Sequence, residues 1–333
     1  MLGCRICVIG ILGLGLLGMA MSSRAAEPAA TIRVGMIGLD TSHVIAFTSA
    51  INSPKASADM AGVRVVAGYP GGSPDIPDSR DRVGKFTEEL RGQGIEICGS
   101  IDELLKKVDV VLLESVDGRP HLEQARPVIA AGKPLFIDKP LAGSLADGVE
   151  IFRLAKAAGV PCFSSSSTRF SPDFQAVRNK TAAFGDVKSC VATSPMSIEP
   201  HHPDLFWYGI HGVEILYTIM GPGCQTVTRE APNKVVGVWA NGRVGTFVGQ
   251  KEYGATVEGS ASSGPAGKYT GYDPLVIEIC RFFKTGKPPV SAEETLEIYA
   301  FMDAADESKR QEGRPVSIQS VMEKAASRAA ADR

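Results

Sequence analysis

The stretch Ile32-Arg33-Val34-Gly35-Met36-Ile37-Gly38-Leu39-Asp40-Thr41-Ser42-His43 passes from an apolar, β-branched run through a glycine into residues that open helices. A strand, a glycine turn and a helix start in that order mark the first unit of a nucleotide-binding α/β sheet. Only the first glycine of a G-x-G-x-x-G turn is present, as Gly38; the second falls at Asp40 and the third at His43. The second glycine normally lets the backbone approach a diphosphate. A carboxylate ~5 Å from a phosphate charge would cost on the order of 3 kcal/mol at an effective dielectric of 20. Asp40 or Thr41 also suits an N-cap, where a side-chain oxygen meets the free N–H groups at the positive end of the helix dipole.

Outward from this turn, short apolar runs alternate with helical patterns as far as residue 160. Strands are predicted at Ile32–Ile37, Val63–Tyr69, 95–98, 108–113, Leu135–Ile137 and 160–164, and helices at 43–51, 81–91, 101–106, 121–131 and Leu145–Ala158. That rhythm predicts a doubly wound parallel sheet over 31–160. The second strand ends at Tyr69-Pro70-Gly71-Gly72-Ser73, without the acid that binds an adenosine ribose; Asp75 follows, and Arg80 or Arg82 could serve a 2′-phosphate.

Past residue 164 the rhythm changes. Strands are predicted at 187–193, 225–228, 235–239 and 244–248, with Asn241-Gly242 as a hairpin turn, and helices at 207–220, 272–284 and Ala292–Arg310. This predicts an α+β domain over 161–320, built on a mainly antiparallel sheet with helices on one face. The Ala-rich tail from Ala325 reads as a frayed helix end.

A chain of 333 residues suits two domains, and a net charge of −2 offers no basic field for nucleic acid. Arg5, the apolar run 6–20 and Ser23-Arg24-Ala25-Ala26 read as a signal peptide over 1–25, which predicts an exported protein, periplasmic or extracellular. No other apolar run approaches the ~20 residues of a membrane span, so no membrane contact is expected beyond the signal. After cleavage Cys98, Cys162, Cys190, Cys224 and Cys280 remain, widely spaced and without a C-x-x-C pair, which argues for core thiols rather than disulfides or a zinc knuckle.

The segment Lys133-Pro134-Leu135-Phe136-Ile137-Asp138-Lys139-Pro140-Leu141-Ala142 resembles the A-G-K-H-V-x-x-E-K-P-x-A segment of Gfo/Idh/MocA oxidoreductases, with Asp138 in place of the glutamate. Val110-Val111-Leu112-Leu113-Glu114-Ser115 with His121, then Arg169-Phe170-Ser171-Pro172, Phe184-Gly185-Asp186-Val187 and Gly209-Ile210-His211-Gly212-Val213-Glu214 are similar to family elements in family order, over about residues 31 to 318. The resemblance implies an N-terminal Rossmann-like domain binding NAD or NADP, a C-terminal sheet domain holding a sugar or polyol, and a homo-oligomer. It implies Lys139 and His211 as the proton-moving pair. The family often has an aspartate four residues before that histidine, and here Trp207 stands there.

The expected cofactor contacts are Gly38, Asp40, Thr41, Ser42, His43, Ser115, His121, Asp138 and Lys139, and the expected substrate contacts are Arg169, His202, Trp207 and Tyr208. The rings of Trp207 and Tyr208 suit stacking on a sugar face or packing of a domain interface. Glu199-Pro200-His201-His202-Pro203-Asp204 contains metal-ligand types, but adjacent histidines point apart, and no metal site is assigned. Three functions are compatible with these residues. One is an NAD(P)-dependent oxidoreductase acting on a sugar, polyol or glycoside. The second is a non-redox or cofactor-recycling enzyme modifying glycosides by oxidation and elimination. The third is a sugar-binding protein that has lost the dinucleotide.

Overall fold

The computed structural model describes residues 1–3 and 30–331. The signal peptide expected over 1–25 lies, beyond its first three residues, outside them. Thr31–Arg333 form one compact unit.

The first sheet is built from β1 (Ile32–Ile37), β2 (Val63–Tyr69), β3 (Glu96–Ile97), β4 (Val110–Leu113), β5 (Leu135–Ile137) and β6 (Cys162–Ser164), all parallel, in the order β3-β2-β1-β4-β5-β6. Between them run α1 (Ser42–Ile51), α2 (Pro77–Gly92), α3 (Ile101–Leu105), α4 (His121–Ala130) and α5 (Leu145–Ala158). The order reverses between β1 and β4, which opens a crevice at their carboxyl ends where such sheets bind ligands. Local chemistry sets the helix limits: Ser144 caps α5 by accepting from the Asp147 N–H, and Gly159 ends it in a left-handed conformation. Helix α2 starts four residues before the predicted 81, because Pro77 pre-sets its first turn.

The second sheet has the order β12-β11-β7-β10-β9-β8-β13. Its strands are β7 (Val187–Ser194), β8 (Cys224–Ala231), β9 (Lys234–Trp239), β10 (Val244–Gly249), β11 (Gly254–Gly259), β12 (Ser263–Lys268) and β13 (Val316–Ser317). Only β7 and β10 pair in parallel. The helices after β6 are α6 (Pro172–Arg178), α7 (Ile210–Met220), α8 (Asp273–Thr285), α9 (Ala292–Arg310) and α10 (Ile318–Ala331). Strands β11 and β12 escape the sequence reading: Ser263-Gly-Pro-Ala-Gly-Lys268 has no β-branched residue, and β11 has only Thr256 and Val257 between its terminal glycines.

Three expectations change. Helix α8 falls in the predicted second domain, 161–320, yet Leu275, Val276, Ile279 and Phe282 pack with Val34, Met36, Phe136 and Phe163 on the first sheet. The tail is a full helix, α10, burying Val321, Ala325 and Ala329. Helix α7 starts at Ile210, not 207, because Leu205 accepts from the Ile210 N–H in a preceding turn. The five cysteines are buried free thiols, as expected. Among the described residues no helix is long and apolar enough to cross a membrane.

Candidate active site

At the end of β1 the chain turns through Gly38, whose φ of 83° suits glycine, and a Cβ there would lie 2.4 Å from the Ser115 backbone. Thr41 is the cap of α1, accepting from the His43 N–H at 3.2 Å. Asp40 is not a cap: it is fully buried, with Oδ1 accepting from the Val116 N–H (2.9 Å) and Oδ2 from the Ser79 hydroxyl (2.5 Å). Burial pushes its carboxyl above the usual range, against the pull of those two bonds. The carboxylate thereby ties the turn to α2 and to the loop after β4.

The ends of β4 and β5 carry Glu114, Asp138 and Lys139. Asp138 Oδ2 lies 2.6 Å from His43 Nδ1. Burial opposes the Asp138 charge, but His43 and Lys139 hold its carboxyl below the usual range. Lys139 has its ammonium 5.5 Å from the Tyr208 ring centre; burial lowers its pKa, while Asp138 and Glu114 pull the other way.

Lys139, His43 and His211 line one cavity of ≈ 100 Å³, with Thr41, Ser42, Asp78, Arg82 and Val116 from the first sheet side and Trp207, Tyr208, Tyr253, Tyr269 and Tyr272 around it. His211 is buried in the first turn of α7, with Nδ1 2.7 Å from the Ser166 hydroxyl and its ring edge-on to Tyr208 and Tyr253. Burial, then the charges of Lys139 and His43, lower its pKa well below the usual histidine value. It is therefore a neutral imidazole, a base, at neutral pH.

Residues 32–166 match the profile described as "Oxidoreductase family, NAD-binding Rossmann fold". That segment is similar to the Gfo/Idh/MocA family. Among curated proteins, 4-carboxy-2-hydroxymuconate-6-semialdehyde dehydrogenase of Sphingobium sp. (strain NBRC 103272 / SYK-6) is 34% identical over 76 residues, 23% of this chain and 24% of the relative. An uncharacterized oxidoreductase of Escherichia coli (strain K12) is 32% identical over 81 residues, 24% of each chain. The match thus spans about a quarter of the length of these relatives. An oxidoreductase from Agrobacterium radiobacter, solved with NAD+, L-tartaric acid and magnesium, superposes with a TM-score of 0.68 at 17% identity, covering 88% of this chain and 100% of its own. Scyllo-inositol dehydrogenase from Lactobacillus casei, with NAD(H) and scyllo-inositol, gives 0.67 at 14%, covering 87% and 99%. At these identities the likeness is one of fold.

The residues present fit a nicotinamide dinucleotide, the group named in the matching description. Gly38 supplies the tight turn after β1, α1 presents its N-terminus, and the Asp40 carboxylate at the second glycine position is taken up by Ser79 and Val116. Gly38, Thr41, Ser42 and His43 would hold the diphosphate side and Lys139 the nicotinamide side. Asp75 is ion-paired to Arg119, and Arg82 lines the cavity with Asp78, so neither stands free at the end of β2 for a ribose or its 2′-phosphate.

Several expected contacts lie elsewhere. Arg169, expected on substrate, is buried and ion-paired to Glu214 and Glu294. His202, also expected on substrate, has both ring nitrogens occupied, by Glu199 and by Asp117 with the Gly118 N–H. His121 spans the carbonyls of Leu141 (3.1 Å) and Ser115 (2.9 Å), clamping two loops rather than facing a cofactor. Ser115 packs on Gly38 and donates to Gln124. Trp207 and Tyr208 do face the cavity. The sequence reading missed Tyr253, Tyr269 and Tyr272; tyrosines in a glycine-rich stretch were the available signal.

Proposed function

We propose that the chain is an NAD(P)-dependent oxidoreductase that oxidises a hydroxyl of a sugar, polyol or glycoside, or reduces the matching carbonyl. The observation that carries this reading is the pairing of Lys139, at the carboxyl end of β5, with the neutral His211 around one tyrosine-walled cavity. When bound, the cofactor takes up or delivers the hydride. His211 accepts the hydroxyl proton in oxidation, and Ser166 at Nδ1 fixes the ring orientation. Lys139 places positive charge beside the oxygen, where negative charge develops. Tyrosine rings and hydroxyls match the apolar faces and polar rims of sugars. The cavity is smaller than the ~300 Å³ usual for ligand sites, so binding requires the walls to part.

The apolar run 6–20 and the Ser23-Arg24-Ala25 site support export, with the mature chain beginning at or near Ala26. An intact Met1 on soluble cytoplasmic protein would overturn that part of the proposal.

The function is tested by denaturing purified protein and assaying released nucleotide, then following NAD(P)H absorbance with a panel of inositols, aldoses and glycosides. Nucleotide binding with turnover on a polyhydroxylated substrate is expected. Tight sugar binding with neither released nucleotide nor affinity for added NAD or NADP would instead favour a sugar-binding protein.

A further inference from the structure

Beneath the cavity, three ionisable side chains converge from separate elements: His43 in the first turn of α1, Glu114 at the end of β4 and Asp138 at the end of β5. One ligand atom from each, an imidazole nitrogen and two carboxylate oxygens, lie within 4.8 Å of one another. His43 stands at the third glycine of the phosphate turn and Asp138 at the glutamate of E-K-P. Two of the departures from the family pattern therefore meet at one point, beside a second acid, Glu114.

The cluster is not satisfied by the protein. Glu114 is 0% exposed, and neither of its oxygens has a hydrogen-bond partner; Asp138, 2% exposed, has Oδ1 unpartnered as well. Lys139 bonds neither acid: its ammonium lies over the Tyr208 ring, and its charge reaches Asp138 and Glu114 only from a distance. Two buried acids around a common point, with three oxygens unanswered, suit a cation between them; without one, burial and the neighbouring Asp138 charge push the Glu114 carboxyl well above its usual range.

We propose that His43, Glu114 and Asp138 bind one divalent transition cation of the zinc or manganese class. Metal–ligand distances of roughly 2.0–2.2 Å put ligand atoms on one ion about 3–3.5 Å apart. Small side-chain rotations bring the cluster to that spacing, with the 2.6 Å His43–Asp138 contact opening slightly as Nδ1 gives up any proton. Two carboxylates cancel the charge of the ion, and one imidazole favours a transition metal over magnesium or calcium, which prefer all-oxygen shells. Three protein ligands leave a coordination position open, and His43 is the ligand that also lines the cavity. The inference rests on the cluster alone and stands or falls separately from the redox reading.

The test uses the full-length protein, stripped with a chelator and incubated with Zn2+ or Mn2+, then desalted for elemental analysis and melted. One retained equivalent and a raised melting temperature are expected. Glu114→Gln and Asp138→Asn should each weaken binding at least tenfold. Co2+ added to the wild type should give the visible absorption of a four- or five-coordinate ion, a readout that does not depend on the variants folding. Failure to retain any of the three ions, or retention undiminished in Glu114→Gln, would overturn the proposal.

Discussion

Asp40 Oδ1 accepts the Val116 backbone N–H at 2.9 Å, so the residue at the second glycine position ties the turn after β1 to the loop after β4. Sequence alone expects Asp40→Gly to tighten dinucleotide binding by relieving up to ~3 kcal/mol of repulsion. The structure predicts a different balance. Glycine leaves the Val116 N–H and the Ser79 hydroxyl without their buried acceptor, a cost of about 1–3 kcal/mol each. Urea denaturation should show the loss of stability. Calorimetric titration with NAD and NADP should show no gain in affinity, and a tighter, equally stable variant would refute this account.

His211→Ala and Lys139→Met should each lower kcat by ~100-fold or more with unchanged circular dichroism, as expected when a positioned proton-transfer group is lost. Unchanged turnover in both would remove them from the mechanism.

The same pair sets the pH profile. His211 is held well below 6.5 by burial, so the acid limb of kcat/KM should lie below pH 6.5. Lys139 is lowered from 10.5, so the alkaline limb should fall below that value. His211→Ala should abolish the acid limb in whatever activity remains.

Arg169 is buried between Glu214 and Glu294; Arg169→Ala strands Glu214 in the interior, while Glu294 keeps Arg178. A stability loss of ~3–5 kcal/mol is expected, measured by chemical denaturation. A folded variant with normal stability and a raised KM would restore the substrate-contact role expected from sequence.

Burial, then the neighbouring Asp204, pushes Asp306 up to about 6. A carboxyl raised above its unfolded value destabilises the fold when ionised, so the penalty is absent below about pH 4, grows through pH 4–6 and is complete above that. Asp306→Asn should therefore stabilise the protein at pH 7.5, by up to about 3 kcal/mol, and make little difference at pH 4. Melting curves across that range check the sign.

The alternation of β-branched runs with capped helices determined the parallel sheet from Ile32 onward, and the D-K-P segment with His211 marked the two residues that meet at the cavity. These features are local: strand and helix periodicity, a glycine with positive φ and a capping threonine are each written within a few residues. The tertiary structure alone decided which polar groups face a ligand and which hold the fold together. Arg169 and Glu214 are 45 positions apart, and Asp117 and His202 meet from opposite halves of the chain. Helix α8 reached the first sheet from beyond the second for the same reason: an apolar face specifies that it must be buried, not which surface will bury it.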